Sequence, residues 1–236
     1  MEIQIAVAKT NKYAVTESGD TVEVVERPNG GLSIVLADGQ TSGHGAKAVS
    51  MMVVRKVIGL LAEGVRDGAA ARAASDLLYT EKRGKVTSTL NIVSVDLHTS
   101  TVVLTRNNPV PFYVAHGERL DCIGSESNSI GTSRSTRPVI SEIPLEPGLV
   151  LVVFTDGLVH AGERVGRPMD ICTSLEAMLE GQEPSPQAIA DALLSEAVHL
   201  DDNRPGDDIS VMVLKVLKRR GDDVRRMTVR LPIDGK

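Results

Sequence analysis

Apolar and polar positions alternate with two different periods along this chain. Residues 3–8, IQIAVA, and 21–27, TVEVVER, read as strands, the second with Val22 and Val24 on one face. PNGG at 28–31 is a turn signal, and LSIVLA at 32–37 is a continuous apolar run, as in a buried strand, ending at Asp38. From Ala46 the period changes. Ala46, Val49, Val53, Val57 and Leu60 recur at steps of three and four and predict a helix, with Lys47, Arg55 and Glu63 off its apolar face. RDGAAARAASDLLYTE at 66–81 predicts a second helix after a break at Gly68. Strand patterns then return at close spacing in STLNIVSVDL, TVVLTRN, VPFYVA and RLDCI, with HTS and HGE as turns. Residues 123–136 are rich in serine and predict a flap or long loop. PVISEIPL and LVLVVF predict two more strands, the second running into Thr155-Asp156-Gly157. A stretch rich in Pro, Gly and Glu leads to SPQAIADALLSEAVHL, a helix with Ser185 as N-cap, Pro186 at its first position and Ile189, Leu193, Ala197 and Leu200 on its face. DISVMVLKVL at 208–217 predicts a last long strand.

Hairpin-length turns between so many strands argue for antiparallel sheets, and there are too many strands for one sheet. The expected fold is α+β: two mainly antiparallel sheets packed face to face, with helices on the outer faces, in one domain over residues 1–217. Residues 218–236 form a basic extension. There RRMTVRLPI alternates Met227, Val229, Leu231 and Ile233, which predicts an added edge strand that could bury against a second copy; a solvated tail is the alternative. A monomer or weak homodimer is expected.

Composition removes several function classes. Hydrophobic residues are 42% of the 236, enough for a core, but aromatics are 2% with no Trp, which leaves little for stacking on bases or sugars. Net charge is −5 and unevenly spread: residues 217–236 hold seven basic and three acidic residues, so the remainder carries 19 basic against 28 acidic, a net of −9. That body does not suit nucleic acid. Glu2 and Gln4 interrupt any leader-like apolar run, and no apolar segment reaches the roughly 18 residues of a membrane span, so a cytoplasmic protein is expected. Cys122 and Cys172 fit a reducing compartment, and neither has an arginine six positions on, which excludes a cysteine-phosphatase loop.

The chemistry collects at strand ends. Asp38 follows SIVLA and precedes Gly39, and Asp156 follows LVVFT and precedes Gly157. Asp207 follows Gly206 before the last strand, and Asp20 follows Gly19 before an early one. Each acid alone reads as a turn or cap residue. Four in one context read as a carboxylate cluster, which repels itself unless a Lys, an Arg or a divalent cation sits within it. All-oxygen ligands suit Mg²⁺, Mn²⁺ or Ca²⁺, and the five histidines show no zinc spacing. Gly39, without a side chain, leaves its carbonyl free to approach a metal. Asp207 and Asp208 are neighbours in an extended segment, so only one should enter the cluster. A phosphate-binding P-loop is excluded because Gly43 is followed by His44 and Gly45, and an aspartyl nucleophile of the D-x-D type because Gln40 follows Gly39.

LADGQTSGHGAKAVS, FTDGL and PGDDISVMVLKV resemble the metal-dependent type 2C (PPM) protein serine/threonine phosphatases, in particular their bacterial SpoIIE-like branch. STLNIVSVDLHTSTVVLTRNNPVPFYV is similar to the central strands of that branch, and the likeness runs to about Val216. It implies an αββα sandwich with a two-metal site at one end. Asp20, Asp38, the Gly39 carbonyl, Asp156 and Asp207 take the ligand positions, Asp38 bridging both metals, so that Asp38 and Asp156 act through a metal-bound water and no protein nucleophile is needed. The implied cofactors are two divalent cations, Mn²⁺ or Mg²⁺. The implied substrate is a phosphoserine or phosphothreonine on a STAS-type protein, an anti-anti-sigma factor or stressosome component, in stress signalling that regulates sigma factors. The absence of an appended sensor domain resembles free-standing feedback phosphatases. A non-catalytic phosphoprotein-binding module of the same fold is the alternative. The chain departs from the family at Gln40, where many eukaryotic members have histidine; at Gly19, where they have an acid before Asp20; and at Asn107-Asn108, where many relatives have Gly-His. Arg106 and Arg134 are the candidates for a phosphate-binding arginine, each with a solvated surface role as the alternative.

Overall fold

The structure is a computed structural model that describes residues 1–117, 119–124, 126–219 and 221–232. Two five-stranded sheets pack face to face. The first has the order β1 (Glu2–Thr10), β10 (Ile209–Leu217), β9 (Leu149–Phe154), β6 (Phe112–His116), β7 (Arg119–Ile123). The second has the order β2 (Asp20–Glu26), β3 (Leu32–Asp38), β4 (Leu90–Asp96), β5 (Thr101–Asn107), β8 (Val139–Pro144). Every pairing is antiparallel. Helices α1 (Gly43–Ala62) and α2 (Asp67–Lys82) cover the second sheet, and α4 (Ile171–Leu179) and α5 (Pro186–Leu200) the first. A single turn, α3 (Asp156–Val159), follows β9. The expected αββα sandwich is what the chain forms.

The continuous apolar runs belong to central strands buried on both faces. In β3, Ile34 and Leu36 enter the core between the sheets, while Val35 and Ala37 meet α1 and α2. In β9, Leu149, Leu151 and Val153 point between the sheets, and Val150, Val152 and Phe154 face the layer of α4 and α5. Period-two alternation thus builds three layers of core from one strand type.

Four expectations are corrected. Gly68 is a buried residue inside α2 rather than a break; the chain turns instead at Gly64, whose φ of +84° suits glycine. Leu60 is only partly buried, and the face of α1 closes on Leu61. The Pro-, Gly- and Glu-rich stretch before Ser185, for which the sequence predicts no element, contains α4, capped by Asp170, whose carboxylate accepts from Thr173 N at 3.1 Å. Finally, residues 221–232 form no strand. Met227, Val229 and Leu231 are exposed, at 73%, 82% and 79%. Alternation without a partner edge among the described residues therefore leaves them in solvent; Ile233 lies outside the described residues.

Candidate metal centre

Antiparallel pairing of β2 with β3 places Asp20 directly opposite Asp38. Directly opposed residues project to the same face, so the first two acids are neighbours by register alone. The other two arrive from the first sheet: Asp156 opens α3 where β9 ends, and Asp207 precedes β10. Asp38 is the common neighbour. Its carboxyl is pushed up to about 9, first by burial, then by the charges of Asp20 and Asp156 and by Asp207. Burial is also the main cause that raises Asp207, with Asp156 adding to it.

Asp20 is fully buried and held from several sides. Its Oδ2 accepts from Ser210 Oγ at 2.6 Å and Thr155 Oγ1 at 3.1 Å, which ties it to β10 and to the end of β9. Its backbone carbonyl accepts from two ammonium groups, Lys9 Nζ at 2.7 Å and Lys47 Nζ at 2.8 Å. Burial raises its carboxyl to about 6, opposed by the Ser210 hydrogen bond and the charge of Lys9. Its other oxygen, Oδ1, is buried with no hydrogen-bond partner.

Glycines let these elements meet. A Cβ on Gly39 would lie 2.1 Å from the Ala46 carbonyl oxygen of α1, and one on Gly157 would lie 2.1 Å from that of Asp208. A Cβ on Gly19 would lie 2.8 Å from Ala46 Cβ. Close backbone packing is thus a second reason for each Asp-Gly pair, beside the open carbonyl read from sequence. The loop into α1 carries strain: Thr41, a β-branched residue, has a φ of +86°.

Asp207 and Asp208 have separate tasks. Asp208 is buried, accepting from Lys12 N at 2.9 Å and Gly19 N at 2.8 Å, so it pins the loop that delivers Asp20. Asp207 is partly exposed and stands beside Asp156. Sequence reasoning set Asp208 aside without finding this role, and it missed Lys9, Lys47, Thr155 and Ser210. The alternation of β10, which sends Asp208 and Ser210 to one side, was a signal available for two of these.

Two other expectations change. Arg106 is 1% exposed; it donates to the carbonyls of Asn108 and Val110 and lies 4.9 Å from the centre of the Phe112 ring. It braces a turn and is not placed to bind phosphate. Asn107 and Asn108 are buried too, and their amides serve the carbonyls of Asn128 and Phe154, at 3.1 and 3.4 Å. Arg134 is exposed on the loop after β7.

Among the described residues, no three His, Cys, Asp or Glu side chains are placed so that they could hold a metal ion as they stand. The donor chemistry nevertheless fits hard divalent cations. The acids are all oxygen donors, the charges of Asp20, Asp156 and Asp207 raise the carboxyl of Asp38, and Asp20 has a buried oxygen without a hydrogen-bond partner. Such an oxygen is costly unless something positive meets it.

The sequence profile of the family "Stage II sporulation protein E (SpoIIE)" matches residues 28–217. A curated relative, stage II sporulation protein E of Priestia megaterium, is 20% identical over 219 residues, covering 91% of this chain and 36% of that protein, so the chain spans about a third of its length. The solved PP2C phosphatase domain of SpoIIE from Bacillus subtilis, with a fragment of its regulatory domain, superposes with a TM-score of 0.80 at 19% identity, over 93% of this chain and 64% of that one. The catalytic domain of the serine/threonine phosphatase PstP, solved with two manganese ions, gives 0.70 at 17% identity, over 92% and 99%. With the strand-end acids, the sandwich that carries them and a profile match over most of its length, this chain belongs to the SpoIIE family and has the PP2C fold.

Proposed function

We propose that this chain is a metal-dependent protein serine/threonine phosphatase. The observation that supports the reading is the register that sets Asp20 opposite Asp38, with Asp156 and Asp207 of the other sheet near enough for their charges to act on Asp38, and an Asp20 oxygen buried without a hydrogen-bond partner. Family membership and the manganese-bound relative support it.

Asp20, Asp38, Asp156, Asp207 and the Gly39 carbonyl would hold two divalent cations, Mn²⁺ or Mg²⁺. When bound, such cations lower the pKa of water and offset charge on a transferring phosphoryl group. The rest is done by the chain itself. Thr155 and Ser210 orient Asp20 so that Oδ1 stays free for a ligand. Lys9 and Lys47 hold the Asp20 carbonyl and supply positive charge beside the acids. Asp208 fixes the Gly19 amide and so the entry of Asp20 into β2. Cys122 lies on β7 at the edge of the first sheet and Cys172 on α4, where its thiol reaches Glu176, and neither has the arginine of a cysteine-phosphatase loop.

The substrate proposed is a phosphoserine or phosphothreonine of a signalling protein, in particular a STAS-type anti-anti-sigma or stressosome protein. Among the described residues no helix is long and apolar enough to cross a membrane. The test is phosphate release from phosphorylated STAS proteins of the same genome, with Mn²⁺ and with chelator. Metal-dependent release supports the enzyme. Stable binding without release in either condition points to a phosphoprotein-binding module instead.

A further inference from the structure

Beside the carboxylates lies a cavity of about 570 Å³ with the opposite charge. Thr87 and Asn128 line one part of it. The hydroxyls of the 129–136 stretch and the guanidinium-bearing Arg134 and Arg137 line the rest, and no acidic or apolar side chain does. Lys82, Arg83 and Lys85 stand next to it, because the turn at Gly84 lies against Thr132: a Cβ there would be 3.6 Å from the Thr132 carbonyl. None of these five cations makes an ion pair among the described residues. In a chain of net charge −5, such a concentration is a local reversal of sign.

The cavity is built into the frame. Asp76 of α2 accepts from Ser135 N at 3.0 Å, and the Arg134 guanidinium lies 5.3 Å from the centre of the Tyr79 ring. Its other rim is joined to the acids. Gln40 Oε1 accepts from Thr87 N at 2.8 Å, and Gln40 N donates to Thr87 O at 3.0 Å. Backbone bridges run from Gly39 to Ser88 and from Ser88 to Ile130. The cavity therefore begins two residues from Asp38.

We propose that this cavity is a docking subsite for an acidic segment of the protein substrate, flanking the phosphorylated residue. The proposal rests on the phosphatase reading above and adds the substrate's neighbouring chemistry. Guanidinium forks suit carboxylates, and the surrounding hydroxyls supply further donors. The net negative charge of the body outside the basic extension disfavours such a segment over much of the surface, so the subsite adds selectivity to affinity.

The test uses the full chain and the exposed double variant Lys85→Ala/Arg137→Ala, with two phosphoserine peptides that differ only in Glu-rich or neutral flanks. Fluorescence anisotropy in chelator reads binding without turnover, and phosphate release in Mn²⁺ reads kcat and KM. Wild type is expected to bind the Glu-flanked peptide about tenfold more tightly, with the difference carried by KM. The double variant loses that preference while hydrolysing p-nitrophenyl phosphate as wild type does. Equal binding of the two peptides by wild type, or a preference that survives in the double variant, overturns the subsite. Failure of wild type to hydrolyse p-nitrophenyl phosphate in Mn²⁺ would instead remove the phosphatase reading, and the anisotropy comparison would still decide the docking.

Discussion

Asp38-Gly39 and Asp156-Gly157 are the same two residues at the ends of two central strands, one in each sheet. Their glycines answer the same demand, since a Cβ at either would lie 2.1 Å from a backbone carbonyl oxygen. Their acids sit differently. Asp156 opens a helical turn, whereas Asp38 is faced by Asp20 across the β2–β3 ladder and by Asp156 and Asp207 from the other sheet. Identical local syntax thus fixes where each carboxylate stands. Tertiary packing sets the surroundings, and at Asp38 the charges of three further acids act on one partly buried carboxyl.

The most severe way to break this asymmetry is Asp38→Asn. Metal-dependent phosphate release should fall by at least about 100-fold, more than the 10–100-fold expected for residues that only support a ligand. Thermal unfolding of the metal-free protein should show no loss of stability, because a repelled charge has been removed. The paired glycines come next. Gly39→Ala or Gly157→Ala should each cost about 1–3 kcal/mol by overpacking, read from denaturant unfolding. Gly45→Ala should be neutral or stabilising, because Gly45 lies within α1 and its nearest neighbour to a new Cβ is Thr41 Oγ1 at 3.8 Å.

Asp207 and Asp208 sharpen the comparison at the strand that joins both sites. Asp207→Asn should lower activity with little change in stability. Asp208→Asn should do the reverse, costing about 1–3 kcal/mol, since an amide cannot accept from both Lys12 N and Gly19 N as the carboxylate does. The opposite pattern would mean that the two acids exchange roles.

A pH series tests the repulsion itself. Asp38 and Asp20 have folded pKa values of about 9 and about 6, raised from 3.8. The folded state therefore binds protons more tightly than the unfolded chain. Their contribution is most favourable near pH 4 and is lost as pH rises, through about 6 for Asp20 and about 9 for Asp38. Metal-free protein should accordingly melt lower at pH 9 than at pH 6, and Asp38→Asn should flatten that dependence. The smallest effect is expected from truncation after Lys218. The described part of the tail forms no strand and touches the body through exposed contacts such as Arg225 with Glu26, worth about 0–1 kcal/mol. Unfolding and phosphate release should both be nearly unchanged.

The sandwich was legible because central strands buried on both faces leave long apolar runs, as in LSIVLA and LVLVVF, and because short turns force antiparallel pairing. The strand-end position of the four acids was legible because each sits beside a glycine at a strand margin. What escaped depends on contacts distant in sequence. Nothing near Lys9 or Lys47 indicates that both reach one carbonyl, and alternation places Ser210 on the side of Asp208 without naming its partner Asp20, 190 positions away. The tail failed in the opposite direction: alternation at Met227, Val229 and Leu231 is a local pattern, and a strand also needs an edge to pair with. α4 was hidden by its Pro- and Gly-rich surroundings, although Ile171, Leu175 and Met178 hold helical spacing.

The central claim is that strand-end acids of both sheets act together as one metal centre. Calorimetric titration of metal-stripped protein with Mn²⁺ tests it most directly, with wild type and Asp38→Asn measured side by side at pH 7.5 in buffers of different ionisation enthalpy. The account predicts binding of two Mn²⁺ by wild type, accompanied by proton release from the raised carboxyl of Asp38, and weakening of both sites together in the variant. Absence of Mn²⁺ binding by wild type, or two sites left intact in Asp38→Asn, would contradict it.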